Sequence, residues 1–144
     1  MKTLNKIDFR SKLFKELRLK NNLTLRQLSK LTGITVNTIL DIEKGRLTRS
    51  SKYHYYYIIC KLFNIDHISY FKLNELKEDT LEDVILKFKV YLGITNNEEL
   101  SKYIFNTKHT INGMLRRRNT KSKSFQKKSI IIVETFQNYK INQK

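Results

Sequence analysis

The chain has 144 residues, enough for one ordinary domain or for two very small helical ones. Its 29 Lys and Arg against 13 Asp and Glu give a formal charge of +16, more than solubility needs, so a polyanion is expected as partner. Nucleic acid comes first and an anionic membrane surface second; charge alone would also fit a solvated Lys-rich surface.

No apolar stretch near Met1 suits a signal peptide or a span, so a cytoplasmic place in a bacterial host, next to the nucleoid when DNA is bound, is expected without membrane attachment. Cys60 lies in the apolar run Ile58-Ile59-Cys60, where a small buried hydrophobe is the expectation. His54, His67 and His109 are scattered away from ligand-spaced cysteines or carboxylates, and no phosphate-cradling Gly-rich loop occurs. Neither a metal nor another cofactor is therefore expected, and no catalytic constellation emerges, so the chain is not read as an enzyme.

With no proline and four glycines, helix punctuation falls to Asn, Thr and Ser caps. Asp8 can cap a first helix running to about Lys20, with Leu13, Phe14 and Leu17 inward, and Asn21-Asn22 ends it. Thr24 and Gln27 form a capping box for a second helix whose inner face is Leu25, Leu28 and Leu31, stopped by Gly33. Thr35 opens a third, with Ile39 and Ile42 one turn apart and Gly45 as its stop after Lys44. A Tyr-rich helix over residues 52–63 and a short element over 66–73 complete this half. Its aromatics, Tyr53, Tyr55, Tyr56, Tyr57, Phe63 and Tyr70, have helical spacing, which favours core or an interface over base stacking.

Five acids, Glu75, Glu78, Asp79, Glu82 and Asp83, then mark a junction between domains at 1–76 and 77–144. A helix from Thr80 to about Leu92 follows, closed by Gly93, with Leu81, Val84, Ile85 and Phe88 on one face. Beyond it the pattern repeats. Leu100-Ser101-Lys102 falls on Leu28-Ser29-Lys30 at an offset of 72, Thr107 on Thr35, Thr110-Ile111 on Thr38-Ile39 and Met114 on Ile42. The helices before these align at 71, pairing Leu13, Leu17 and Leu23 with Val84, Phe88 and Ile94. A duplicated unit explains this economically; chance likeness of amphipathic helices is the alternative. The last segment, from Ser124 to about Tyr139, carries Ile130-Ile131-Ile132-Val133. A helix is favoured there over a strand, with its apolar face buried on the second unit or on another chain.

The segment LTLRQLSKLTGITVNTI, closed by IEKG and followed by Arg46 and Arg49, has the parts a helix-turn-helix needs. Leu28 and Ile39 meet at the joint, small Ser29 lets the helices approach, Gly33 takes the bend and Thr35 caps the next helix. Over residues 9–73 the chain resembles the XRE or lambda-repressor-like family of phage repressors. The resemblance implies an all-α fold, with a five-helix first unit whose third helix, from Thr35 to Lys44, reads DNA. It also implies a structural pair, Arg18 with Glu43, locking the first helix to the third. On that helix Val36, Asn37, Leu40 and Asp41 are expected toward bases and Thr35 and Thr38 toward phosphate. Asn37 suits adenine, Val36 a thymine methyl, and Asp41 only cytosine. Gln27 joins this set, and Arg46, Arg49, Ser50, Ser51 and Lys52 are expected to grip phosphate from the loop.

The later copy, ELSKYIFNTKHTINGMLRRRN, resembles the helix-turn-helix of phage CI-type repressors, with the turn reshaped around Asn106 because Phe105 stands where Gly33 did. No counterpart of the Arg18–Glu43 pair is expected, since Lys89 would face Leu115. Lys108, His109, Asn112 and Gly113 are expected exposed, followed by Arg116, Arg117 and Arg118, with Lys121 and Lys123 beyond. The whole is read as two small helical helix-turn-helix units in tandem, binding double-stranded DNA as a regulator, a phage or mobile-element repressor. The alternative is an anti-defence protein that holds a protein partner and regulates its own promoter, because LTLRQLSKLTGITVNT also resembles the amino-terminal domain of some anti-CRISPR proteins. A homodimer through the C-terminal apolar segment or the Tyr-rich helix is a further expectation, for which the tandem pair can substitute.

Overall fold

The computed structural model describes residues 9–47 and 52–142, and these form nine α-helices and one 3-10 turn with no strand. The fold is all-α. The chain divides into two compact units between Leu76 and Lys77, within the acidic stretch.

In the first unit, α1 (Ser11–Lys20) opens after Arg10, which sits at φ 51° with no side-chain cap. The cap expected from Asp8 lies outside the described residues. Arg10 instead donates to the Tyr70 carbonyl at 3.1 Å and lies 5.0 Å above that ring. Helix α2 (Leu25–Thr32) begins with the Thr24/Gln27 capping box and ends at Gly33, φ 75°. Helix α3 (Val36–Glu43) starts from Thr35, whose hydroxyl accepts from the Thr38 N–H, and Gly45 at φ 74° stops it. The Tyr-rich α4 (Tyr53–Leu62), the short α5 (His67–Tyr70) and the 3-10 turn Leu73–Glu75 close the unit.

Helix α3 packs on both α1 and α2, and α4 on α2 and α5. Between them Leu28, Ile39, Ile42 and Ile59 are buried together with Phe9, Phe14, Tyr53, Tyr56 and Phe71. Phe9 stacks on Tyr56 at 4.4 Å between centroids and Phe14 lies parallel to Phe71 at 6.1 Å, so the tyrosines spend themselves on an aromatic core. The expected inner face of α2 needs correction at Leu31, which is 58% exposed.

In the second unit, Thr80 and Asp83 form a capping box on α6 (Leu81–Leu92), and Gly93 at φ 73° ends it. Asn96 caps α7 (Asn97–Phe105), which is followed by α8 (Thr110–Arg117) and the long α9 (Lys123–Asn142). The isoleucine run is thus helical. Helix α6 packs on α9, and α7 on α8 and α9, around Val84, Ile85, Phe88, Tyr91, Leu100, Ile111, Ile132 and Phe136.

The acidic stretch is built into this unit. Glu78 accepts from Lys87 at 2.7 Å, from Lys140 at 2.9 Å and from Gln137 at 3.2 Å, which ties its segment to α6 and α9. Burial pushes the Glu78 carboxyl upward, but the hydrogen bonds from Lys87 and Lys140 outweigh it and hold the group below its ordinary value. Lys89, half-buried on α6, is held below the usual lysine value by desolvation.

Candidate nucleic-acid interface

Each unit presents a helix, a short turn and an eight-residue helix, and each turn is set by one residue in left-handed conformation. In the first unit this is Gly33, and in the second it is Asn106 at φ 56°, one position after Phe105. Asparagine tolerates this region better than other residues with a Cβ, which explains how the turn forms without glycine. Both joints also contain a threonine pair three apart. Thr35 donates its hydroxyl to that of Thr38 at 2.9 Å, and the hydroxyls of Thr107 and Thr110 are hydrogen-bonded in the same way.

The first joint is locked from inside. Arg18 donates from Nε and Nη2 to the two oxygens of Glu43 at 2.8 and 3.0 Å and from Nη1 to the Leu23 carbonyl at 2.9 Å. The hydrogen bond to Glu43 raises the guanidinium's pKa against the desolvation that lowers it. The pair therefore ties α1 to α3, and Arg18 also holds the loop at Leu23. On the outer side Thr35 and Asn37 are exposed, Val36, Thr38, Leu40 and Asp41 are half-buried, and Gln27 is exposed while its Oε1 closes the capping box. Asp41 is engaged: Arg46 lies 3.9 Å from its carboxylate and donates a backbone N–H to its carbonyl. Arg46 and Lys52 are exposed, whereas Arg49, Ser50 and Ser51 lie outside the described residues.

The second joint has a feature that spacing alone did not reveal. Ser101, fully buried, accepts from the Ile111 N–H at 3.0 Å, so the small residue allowing close approach also satisfies an orphan donor of α8's first turn. Helix α8 begins at Thr110, later than the alignment with α3 implies. Lys108 and His109 are consequently exposed ahead of the helix rather than on it.

Gly113, expected exposed, is buried, and a Cβ there would stand 2.9 Å from the Arg117 guanidinium, which lies back over it. Asn112 is exposed, but its amide oxygen accepts from Asn97 at 2.9 Å. Arg118, left-handed at φ 47°, donates to Glu82 at 2.8 Å and so ties the end of α8 to the start of α6. A tie between the unit's first and third helices therefore exists here after all, with acid and arginine exchanged, although its exposed position makes it far weaker than a buried pair.

Lys108, His109, Arg116, Arg117, Lys121 and Lys123 remain exposed around α8 and the start of α9. A cavity of about 480 Å³ opens among them, lined by Lys108, His109, Arg117 and Lys128 with Met114 and Phe125 below. This concave cationic surface can receive phosphates, and hydroxyls of Thr107, Ser122 and Ser124 line it as further partners. Among the described residues no group of three potential ligands could hold a metal ion, and no helix is long and apolar enough to cross a membrane.

A buried arginine tie, a glycine-turned joint and an exposed leading end on α3 define a helix-turn-helix unit. Residues 14–68 match the family model described as Helix-turn-helix, which is of the XRE type. That match suggests a DNA-binding transcription regulator and leaves the second unit unmatched. No curated protein and no solved structure matches the chain.

Proposed function

We propose that the chain is a sequence-specific double-stranded DNA-binding regulator, in which α3 reads bases and the second unit, as a diverged helix-turn-helix, supplies much of the affinity. The observation that carries this reading is the first unit's α2–turn–α3, inside the matched residues 14–68, with Thr35 and Asn37 exposed at the leading end. The cationic surface around α8 supports the second role, because phosphate contacts set affinity whatever the sequence. Asn37 remains the best base-reading residue, while Asp41 is drawn toward Arg46. Repression, and a phage or mobile-element setting, rest on the resemblance of residues 9–73 to phage repressors.

The test is selection of bound sequences from a pool of random duplexes with the intact protein, followed by titration of the winners against salt. An enriched motif is expected, with affinity falling steeply as salt rises. Changing Lys108, Arg116 and Arg117 together to Ala should weaken all duplexes alike and reduce the salt slope by about 2.7 if each contacts one phosphate. Asn37→Ala should instead relax preference at one base pair, by about 1–3 kcal/mol. No enriched motif, with binding indifferent to both variants, would overturn the proposal and turn attention to a protein partner.

A further inference from the structure

Two helices wall the cavity beside α8. Thr110, Gly113, Met114 and Arg117 recur at spacings of three and four, so one face of α8 makes the first wall, and Ser124, Phe125 and Lys128 make the second from the start of α9. The more buried part of the lining is apolar, with Met114 7% exposed and Phe125 half-buried. The more exposed part is basic: Lys108, His109 and Arg117 are exposed and Lys128 is half-buried, and no carboxylate lines the cavity. None of these four side chains has an ion pair among the described residues. Arg117, though exposed, lays its guanidinium back over Gly113, where the missing Cβ leaves it room.

A duplex answers only part of this lining. Its phosphates lie on a convex surface, and exposed cations outside the cavity, such as Arg116, serve them as well as those within. The apolar side chains offer a phosphodiester chain nothing, whereas a flat apolar ring gains by covering them. The volume, about 480 Å³, falls within the range of about 300–1,000 Å³ usual for small-ligand sites. A ligand that answers the whole lining carries a multiply charged anion for Arg117 and Lys128, hydrogen-bonding oxygens for Ser124 and Asn119, and a ring for Phe125 and Met114. A nucleoside 5′-phosphate joins these three parts in one molecule. We propose that the cavity between α8 and the start of α9 binds a free nucleoside 5′-phosphate, and that the occupied cavity withholds Lys108 and Arg117 from duplex DNA. The binding is measured without DNA and stands apart from the proposed function; the withholding rests on it.

Calorimetric titration of the full chain with AMP, GMP, CMP and UMP, at about 0.15 M salt, should give at least one Kd below about 0.1 mM. Pyrophosphate, more highly charged but without a ring, should bind about tenfold more weakly than that nucleotide, and the matching nucleoside should bind more weakly by at least as much. Phe125→Leu keeps the site apolar but removes the ring, and should weaken the nucleotide about fivefold or more while leaving the duplex Kd within about twofold. Lys128→Gln, which removes one unpaired charge, should weaken the nucleotide about tenfold. Arg116→Ala should do the reverse, weakening the duplex and sparing the nucleotide. In the parent protein, nucleotide at about ten times its Kd should raise the duplex Kd about fivefold. Failure of all four nucleotides to bind, pyrophosphate binding as tightly as the best of them, or nucleotide affinity indifferent to both Phe125→Leu and Lys128→Gln would each overturn the site. Duplex binding that ignores a bound nucleotide would overturn the withholding. A chain that binds nucleotide but no duplex would overturn the proposed function and the withholding together, and leave the site standing.

Discussion

Arg18 and Glu43 share two hydrogen bonds in a place where their side chains are 9% and 5% exposed. Removing the arginine leaves a carboxylate without its counter-ion, so Arg18→Ala should cost about 3 kcal/mol of first-unit stability, whereas replacing both partners by Met and Leu should cost much less. Denaturant titration of the two variants measures the difference. Cys60, fully buried on α4, has its thiol pushed up to about 12 by burial first and by Asp66 second. At pH 8 it should resist alkylation in the folded protein and react only on unfolding, as thiol-trapping rates against denaturant would show. Because its folded value lies above the ordinary 9.0, its contribution to stability is complete below pH 9 and declines as pH rises toward 12. The Arg18–Glu43 tie was legible through a familiar motif. The Glu82–Arg118 tie was not, since its partners lie 36 residues apart with their signs exchanged and no local spacing announces them.

Helix boundaries were the most legible elements, because Thr24/Gln27 and Thr80/Asp83 are local capping chemistry that sequence spacing expresses directly. Leu31 shows where periodicity misleads. Three leucines at successive steps of three drift about 120° around a helix, so the last leaves a face as narrow as that of an eight-residue helix. The turn around Asn106 was readable, but the late start of α8 was not, because the alignment set Thr107 on the capping Thr35 whereas the helix opens after His109 without a side-chain cap. Asn106→Ala should destabilise the second unit by about 1 kcal/mol and Asn106→Gly should leave it unchanged or more stable, by thermal denaturation. Glu78 anchors its segment to α6 and α9, and its depressed pKa means the stabilisation is present above the ordinary 4.5 and lost as pH falls through the folded value. Thermal midpoints of Glu78→Gln should therefore fall less than those of the parent as pH drops from 6 to about 3.

Across the whole molecule, charge alone does not distinguish the two units, which carry 15 and 14 of the Lys and Arg residues. The acids do. Residues 100–144 hold eleven cations against Glu134 alone, and this absence of carboxylates is what made the cationic surface around α8 readable without coordinates. Its concavity was not readable, because it depends on how the start of α9 stands beside α8.

The buried Gly113 has a further consequence. It sits inside α8 at an ordinary helical φ, so Ala there should favour the helix by up to about 1 kcal/mol. The added methyl, however, occupies the resting place of the Arg117 guanidinium, which is flexible enough to swing away. Evolution in the laboratory toward heat resistance would thus tend to select Gly113→Ala and re-aim an arginine at the cationic surface as a by-product. Glycine at this position is better understood as a parking space for a side chain than as a weak link in a helix.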